Sequence, residues 1–434
     1  MDNINNSSKK TIIGDTPIYK MYYGDKPIYN VLGTKNKVIL PEGTKLTFDG
    51  STFTYLPDGF DTSNLTTMYG LFNNCKNLTL IPPLDTRNVT YMIYMFGGCE
   101  NLQSIPMLNT SNVTNMRYMF QGCKKLQSIP HLDTSNVTNM SNMFEECYNL
   151  SNIPHLDTSN VIDMSYMFYA CNKLQTLPEL DTSNVTNMSG MLRGCDSLQS
   201  IPLLNTSKVT NMSDMFTYSD GITTIPLLDT SNVITMDSMF YGCKNLQSIP
   251  LLNTSKVTNM NYMFEDCDSL TTIPLLDTSN VKSMHHMFYG CKNLQTIPQL
   301  DTSSVKRFGN MFYGCPSIQS LPLIDCGNAT EMTYFLTFAE NENCTDLGGF
   351  KNLKISMNGY FVNSCPNLTI DSLMNVINNL WDWSGNTDGK APLNDGTIYN
   401  FGTTHTLSFG QTNLDKLTEE QIAVATAKGW TLTA

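Results

Sequence analysis

The chain has 434 residues and a net charge of −12, and only 15% of its residues are charged. Binding to a nucleic-acid backbone requires clustered Lys and Arg, so this composition argues against it, and the negative charge equally disfavours an anionic membrane surface. No stretch of the sequence approaches the roughly 18 apolar residues of a membrane span.

The N-terminal region begins with ten polar residues that predict a disordered tether without the apolar core of a signal peptide. We therefore do not expect export by the usual secretory route. A ten-residue duplication follows, Gly14-Asp-Thr-Pro-Ile-Tyr19 and Gly24-Asp-Lys-Pro-Ile-Tyr29, in which Gly-Asp turns stand beside β-formers and predict short strands. Residues 1–55 are expected to form a β-rich module that either caps the next domain or attaches it to a larger assembly. The residues expected to serve attachment are Pro17, Tyr19, Pro27 and Tyr29.

From Asp61 to Ile324 one 24-residue unit recurs eleven times without insertion or deletion. A clear copy is Asn109–Leu132. A fixed period of about 20–50 residues predicts a solenoid, because one such unit cannot bury its apolar side chains unless others stack on it. Residues 56–340 are therefore expected to form one elongated domain.

Within each repeat, two patterns predict two elements. The apolar residues from Val113 to Cys123 are spaced 3, 3, 1 and 3 apart, which predicts one face of an α-helix. The preceding Asp/Asn-Thr-Ser-Asn offers side-chain oxygens for an N-cap. The segment Leu126–Pro130 predicts a short strand, stacked in parallel with its equivalents. The expected fold class is therefore α/β, a solenoid of about 11 strand–helix rungs.

Methionine and cysteine recur at equivalent positions, and both are interpreted as core residues. Most of the 26 methionines fall in two series, beginning at Met68 and Met95, that lie beside the recurring Phe. Ten of the 13 cysteines fall in one series, in which Ser219 fills the single gap. We interpret these thiols as free, reduced and buried small side chains rather than as a disulfide framework.

The remaining residues, 341–434, predict degenerate repeats and an α/β C-terminal cap. A helix is expected from Ile370, capped by Asp371, and a strand over Thr404–Phe409. A final helix is expected to begin at Leu417 with a capping-box pattern. A cap is needed because the open end of a solenoid exposes apolar core.

The motif Asp-Thr-Ser-Asn-Val-Thr-x-Met-x-x-Met-Phe-x-x-Cys-x-x-Leu-x-x-Ile-Pro resembles the repeat of the BspA-like leucine-rich-repeat family of bacterial surface proteins, in the variant first noted in mycoplasma surface lipoproteins. The resemblance covers about residues 56–340 and implies a leucine-rich-repeat solenoid with a role in adhesion or recognition. The closing segment Thr412–Leu432 resembles the tail of repeat proteins found in bacteria and tailed phages, and the N-terminal duplication looks like short modules of phage virion proteins.

The sequence shows no catalytic constellation, and we expect neither a cofactor nor a metal. His131 and His155 occupy equivalent positions but are interpreted as exposed polar residues, and the recurring Asp as helix caps rather than cation ligands. The variable positions after each proline and beside each predicted strand are better candidates. The leucines there either form an exposed stripe for a partner chain or thicken the core. The candidate binding surface comprises Leu203, Leu227, Leu251, Leu275, Gln127, Gln247, Gln295, Tyr241 and Tyr289.

Together these features predict a non-enzymatic recognition protein, an exposed fibre or decoration component of a tailed-phage virion. Its expected partners are other virion proteins, bound through the N-terminal module, and a host surface protein or glycan, with self-association left open. A bacterial cell-surface adhesin and an intracellular protein-binding scaffold are the alternatives.

Overall fold

The computed structural model describes residues 11–13, 16–23, 26–31, 38–39, 60–81, 83–336, 341–357 and 365–434, and for residues up to 60 it describes the backbone alone. The chain divides into two units, Met1–Asn205 and Thr206–Ala434.

The first unit begins with short strands. Strands β1 (Thr11–Ile13), β2 (Thr16–Tyr23) and β3 (Lys26–Val31) form an antiparallel sheet in that order. Strand β4 (Val38–Ile39) pairs in parallel with β5 (Phe60–Asp61). The prediction of short strands in this region is confirmed, and its role as a cap or an attachment module stays a prediction.

The repeats contain no α-helix in residues 60–81 and 83–336, so the predicted helix in each rung is wrong. The segment from Val113 to Cys123 is a series of tight turns instead. Tyr118 has φ 57° and Gly122 has φ 68°. Both values lie in the left-handed region, which an α-helix does not accommodate.

The backbone amides explain why turns replace the helix. The N–H of Met119 donates to Met116 O within its own turn at 3.1 Å. The N–H of the next residue, Phe120, points the other way and donates to Met143 O of the following repeat at 2.9 Å. This alternation satisfies the amides through stacking, whereas a helix would satisfy them within one repeat.

The spacing of the apolar residues predicted burial correctly although it predicted the wrong element. Val113, Met116, Met119, Phe120 and Cys123 are all 0% exposed. The phenylalanine rings of successive repeats stack, with centroids 5.5 Å apart for Phe96 and Phe120. The same stacking recurs in the second unit, where the rings of Phe240 and Phe264 are 5.6 Å apart.

The Asp-Thr-Ser-Asn motif joins repeats rather than capping a helix. Asp133 Oδ1 accepts from the N–H of Ser135 at 3.1 Å, which makes a local turn. The buried Thr134 hydroxyl donates to Asp157 O of the next repeat at 2.8 Å. Asn136 Nδ2 donates to Ser111 O of the preceding repeat at 2.8 Å. Predicting these residues as helix caps was therefore wrong, because no helix follows them.

The parallel stacking of repeats is confirmed, but at a different position from the one predicted. Single parallel bridges join position 115 of one repeat to position 139 of the next, and equivalent bridges recur in both units. The strand predicted over Leu126–Pro130 is not found: in the described repeats the equivalent segments form no strand until the last one. There β6 (Ser320–Leu321) and β7 (Ile324–Asp325) begin the closing region.

The end of the second unit is mixed α and β. Strands β6 and β7 pair in parallel with β8 (Asp346–Leu347) and β9 (Phe350–Lys351). Helix α1 (Ile370–Asn378) follows, and its N-cap is Thr369, whose side chain accepts from the N–H of Ser372. The helix was predicted correctly, but Asp371 lies in its first turn rather than at the cap.

The last elements are two small sheets and two helices. Strands β10 (Lys390–Pro392) and β11 (Ile398–Asn400) are antiparallel. Strand β12 (His405–Ser408) pairs in parallel with β13 (Trp430–Thr433). Between them lie α2 (Gln411–Leu414) and α3 (Glu419–Ala427). The predicted capping box is present at the start of α3, between Thr418 and Gln421.

Candidate functional site

The leucines that follow the repeat prolines in the second unit are exposed, and the sequence had left open whether they are exposed or buried. Leu227, Leu251 and Leu275 are 63%, 63% and 60% exposed, so they form an apolar stripe and do not thicken the core. We call these three leucines, with the exposed pair of residues that lies four and three positions before each, the leucine face. The three pairs are Thr223/Thr224, Gln247/Ser248 and Thr271/Thr272. In the first unit, Leu203 is 77% exposed.

Backbone hydrogen bonds hold the repeats of this face in register. The N–H of Gln247 donates to Thr223 O, and the N–H of Gln295 donates to Thr271 O, each at 2.9 Å. The side chains of Gln247 and Gln295 are exposed, as is that of Gln127 in the first unit. The three predicted glutamines therefore lie on the surface, and their role in binding stays a prediction.

Charged residues border the leucine face on both sides. One border, six residues before the proline of each repeat, carries alternating charges: Asp220, Lys244, Asp268 and Lys292. Lys292 Nζ lies 2.9 Å from Asp268 Oδ2, and Lys244 Nζ lies 3.8 Å from Asp220 Oδ2. The other border is acidic and consists of Asp229, Asn253, Asp277 and Asp301. Hydrogen bonds from Ser231 and Ser279 lower the pKa of Asp229 and Asp277, so both carboxylates stay charged at neutral pH.

The two predicted tyrosines lie among other aromatic residues, on the turn that replaces the predicted helix. Tyr241 packs against Tyr218 with ring centroids 4.8 Å apart. Tyr289 stacks on Tyr313 at 5.0 Å and on His286 at 4.8 Å. We call these two ring groups, five residues in all, the aromatic column. Tyr218 and Tyr313 are 42% and 37% exposed, and the others are half-buried.

A histidine and a glutamate meet within this column. His286 Nδ1 lies 3.0 Å from Glu265 Oε2, and their side chains are 20% and 10% exposed. Burial raises the pKa of Glu265 to about 7, with a smaller contribution from the charge of Asp266. Burial likewise lowers the pKa of His286 to about 4, with a smaller contribution from His285. Both groups are therefore neutral over much of the pH range between these values.

The neighbouring histidine faces a second carboxylate. His285 Nδ1 lies 3.5 Å from Glu331 Oε2, and the N–H of Gly309 donates to the same oxygen at 3.2 Å. A Cβ at position 309 would lie 2.7 Å from His285 Nδ1, so the missing side chain of glycine leaves room for this arrangement.

Sequence reasoning did not single out His285, His286, Glu265 or Glu331. Their signal was local: a His-His pair stands where the equivalent positions of other repeats carry mostly serine, asparagine or tyrosine. His286 and Glu265 are 21 residues apart, which is one period less three. Their contact could be inferred only once the offset between stacked repeats was known.

The thirteen cysteines are all free and buried, which confirms their interpretation as core residues. Cys147 Sγ donates to Phe120 O of the preceding repeat at 3.1 Å, and the same contact recurs along the series. Burial raises the pKa of Cys195, Cys243 and Cys315 to about 12. Such thiols carry almost no thiolate at neutral pH and are poor nucleophiles.

Several sequence expectations concern sites that the structure does not bring together. His131 and His155 are exposed. Among the described residues, no group of three or more His, Cys, Asp or Glu has the arrangement of a metal site. Pro17, Tyr19, Pro27 and Tyr29 lie on β2 and β3, but their side chains lie outside the described part of the structure, so attachment stays a prediction. No helix in the described part of the chain has the length and apolarity needed to cross a membrane.

Comparisons with solved structures find distant likenesses to leucine-rich-repeat proteins. A leucine-rich repeat protein from Eubacterium ventriosum is 15% identical, with 60% of this chain and 84% of that chain covered and a TM-score of 0.31. A TLR13–ssRNA13 complex is 12% identical over 67% of this chain and 68% of that chain, with a TM-score of 0.19. The plant peptide hormone receptor RGFR1 in complex with RGF2 is 11% identical over 69% and 62%, also with a TM-score of 0.19. A search of curated proteins returns no significant match.

A family model described as "Mycoplasma protein of unknown function, DUF285" matches residues 45–153, 126–225 and 221–323. These matches together span the 24-residue repeats and more than half of the chain. They confirm the repeat-family part of the resemblance that the Asp-Thr-Ser-Asn-Val-Thr-x-Met-x-x-Met-Phe motif indicated. The chain therefore belongs to the DUF285 family of repeat proteins.

Proposed function

We propose that the protein is a non-enzymatic recognition component, an exposed fibre or decoration protein of a tailed-phage virion that binds a host surface protein or glycan. The observation that carries the proposal is the aromatic column of the second unit. Tyrosine and histidine present an apolar ring and a polar atom together, which suits them to contact both protein surfaces and sugars.

The packing of the column supports recognition because it holds the binding groups in place before a ligand arrives. Tyr289 lies between His286 and Tyr313, with ring planes within 11° and 6° of parallel. Rings that are already ordered lose little conformational freedom on binding, so more of the contact energy contributes to affinity.

The pairing of Glu265 with His286 supports a binding role over acid–base catalysis. The two groups hydrogen-bond each other, and their side chains are largely covered. A general acid or base must reach a proton of the substrate, and these two atoms are engaged with each other instead.

The virion assignment is supported by the N-terminal duplication and the closing segment, both of which resemble parts of phage proteins. In this proposal, residues 1–55 dock to other virion proteins and the repeats face the host.

Immunogold electron microscopy of cultures of the source organism, with antibody raised against the full chain, tests the location. We expect label on phage particles. Label confined to cell envelopes would overturn the virion assignment and favour the adhesin.

Recognition itself is tested by binding of the labelled full chain to host cells. The double variant Tyr289→Ala/Tyr313→Ala should lose most of this binding. Tyr148→Ala removes a tyrosine of equal exposure, 37%, from the first unit and serves as the matched control. Equal binding by both variants would contradict a role for the aromatic column.

A further inference from the structure

We propose that the leucine face of the second unit is a two-fold self-association surface, covered by the same face of a second copy of this chain. This goes beyond the proposed function, which concerns the aromatic column and says nothing of oligomeric state.

The exposed apolar side chains of the leucine face indicate that another protein surface covers it. A single exposed leucine is ordinary on a protein surface, but contiguous exposed apolar side chains mark interaction sites. Leu227, Leu251 and Leu275 are 60–63% exposed and recur in three consecutive repeats held in register by backbone hydrogen bonds.

The lack of charge on the face argues for a second copy. Residues 223–228, 247–252 and 271–276 contain no ionisable side chain. The chain as a whole carries −12, so two copies repel each other over most of their surfaces. A neutral, apolar face is a place where they approach without that repulsion.

The alternating border supplies complementarity between copies. Along the repeats its charges run negative, positive, negative, positive, from Asp220 through Lys244 and Asp268 to Lys292. A two-fold axis that lies in the face, across the repeats and between those of Leu251 and Leu275, reverses this order in the second copy. Leu251 then opposes Leu275 of the second copy, and Leu227 opposes Gln299 of the second copy. Asp220 then faces Lys292 of the second copy, and Lys244 faces Asp268 of the second copy. Every pair on this border is of opposite sign, as an isologous interface requires for favourable electrostatics.

Repulsion between aspartates of the acidic border opposes this pairing of the two copies. The same axis sets Asp229 against Asp301 of the second copy, and Asn253 against Asp277 of the second copy. Because Asn253 is neutral, the acidic border makes only two like-charge pairs, whereas the alternating border makes four pairs of opposite sign. The alternating border sets the orientation, and the leucines supply the main attraction.

Sedimentation equilibrium of the full chain over a concentration series tests the proposal. We expect a monomer–dimer equilibrium, and Leu251→Asp should weaken it at least about tenfold, because it places a carboxylate at the centre of the interface. Ile234→Asp is the matched control: Ile234 is 50% exposed in the same unit but lies outside the leucine face, so its change should leave the equilibrium unaltered. A monomeric wild type at every concentration, or equal effects of the two variants, would overturn the proposal.

A charge-reversal series tests the two-fold geometry. Lys244→Asp/Lys292→Asp makes the border wholly negative and should weaken association. Adding Asp220→Lys and Asp268→Lys restores an alternating order of opposite phase, which is again complementary to itself. Recovery of the dimer in the quadruple variant supports the proposed axis, and failure to recover it would rule that axis out. Thermal melting of each variant checks that the repeats stay folded.

Discussion

His286 Nδ1 lies 3.0 Å from Glu265 Oε2 of the preceding repeat, and burial shifts the pKa values of the two groups in opposite directions. The pKa of Glu265 rises from 4.5 to about 7. The pKa of His286 falls from 6.5 to about 4. Their effects on stability therefore oppose each other over nearly the same pH interval, so the combined contribution of the pair to the free energy of unfolding changes little with pH.

Single variants should reveal the two opposing slopes. In Glu265→Gln only His286 remains, and the unfolded chain binds its proton while the folded chain does not. Stability should then fall as pH decreases from about 6.5 to about 4. In His286→Asn only Glu265 remains, and the folded chain keeps a proton that the unfolded chain has lost. Stability should then fall as pH rises from about 4.5 to about 7.

Urea unfolding midpoints across this interval measure both effects. In each variant the free energy of unfolding is expected to change by about 2–3 kcal/mol in total over its pH interval. Asparagine suits position 286 because Asn310, its equivalent in the next repeat, has φ 54°, close to the 58° of His286. Variants whose pH profiles run parallel to that of the wild type would show that the two groups do not titrate as described.

The left-handed positions of the repeat should be sensitive to backbone freedom. Gly122→Ala is expected to lower the free energy of unfolding by about 1–2 kcal/mol, because a Cβ at φ 68° is strained even though the nearest atom, Gly98 Cα, is 3.7 Å away. The reciprocal change at the equivalent position, Glu146→Gly at φ 56°, should raise it by about 0.5–1 kcal/mol, since relief of strain exceeds the added chain entropy. Chemical denaturation measures both, and changes of the same sign would contradict this account.

Burial of a charge in one repeat should disrupt the stack around it. Leu126 is 0% exposed, and Leu126→Asp is expected to cost at least about 3 kcal/mol because the carboxylate has no partner there. The adjacent side chain is exposed, so Gln127→Asp should change stability by no more than about 0.5 kcal/mol. Calorimetry of the two variants provides the comparison, and a small effect at position 126 would argue against the stacked core.

The buried thiols should be inert in the folded protein. At neutral pH, iodoacetamide is expected to modify none of the ten cysteines of the recurring series before unfolding and all of them afterwards, as counted by mass spectrometry. Reducing agent should leave the melting temperature unchanged. A fall of many degrees on reduction would mean that the series is cross-linked.

Burial was predictable from the repeat, whereas the secondary structure was not. The spacing from Val113 to Cys123 places the apolar side chains correctly because it reflects burial, which a helix and a series of turns produce alike. The overlooked signal was glycine: Gly98, Gly122 and Gly242 each precede the recurring cysteine, and a helix interior does not favour glycine at a fixed position.

The residues of the candidate surfaces were likewise predictable only in part from the sequence. After Pro202, Pro226, Pro250 and Pro274 two leucines stand together, and sequence alone does not decide which of the two is buried. Leu251 is 63% exposed, whereas Leu252 is 2% exposed. Tyr241 and Tyr289 were recognisable as recurring aromatic residues, but the Glu265 that pairs with His286 comes from the preceding repeat. Such contacts depend on the stacking offset, which residue types do not encode.

The alternation of backbone amides also constrains how this protein changes length. Met119 donates within its own turn and Phe120 donates to the next repeat, so one inserted residue would exchange the two sets of donors and shift every left-handed position. An added or deleted segment of 24 residues would leave each donor facing its acceptor. Genes of this kind are thus free to lengthen or shorten by recombination between copies of the repeat, and only in whole copies.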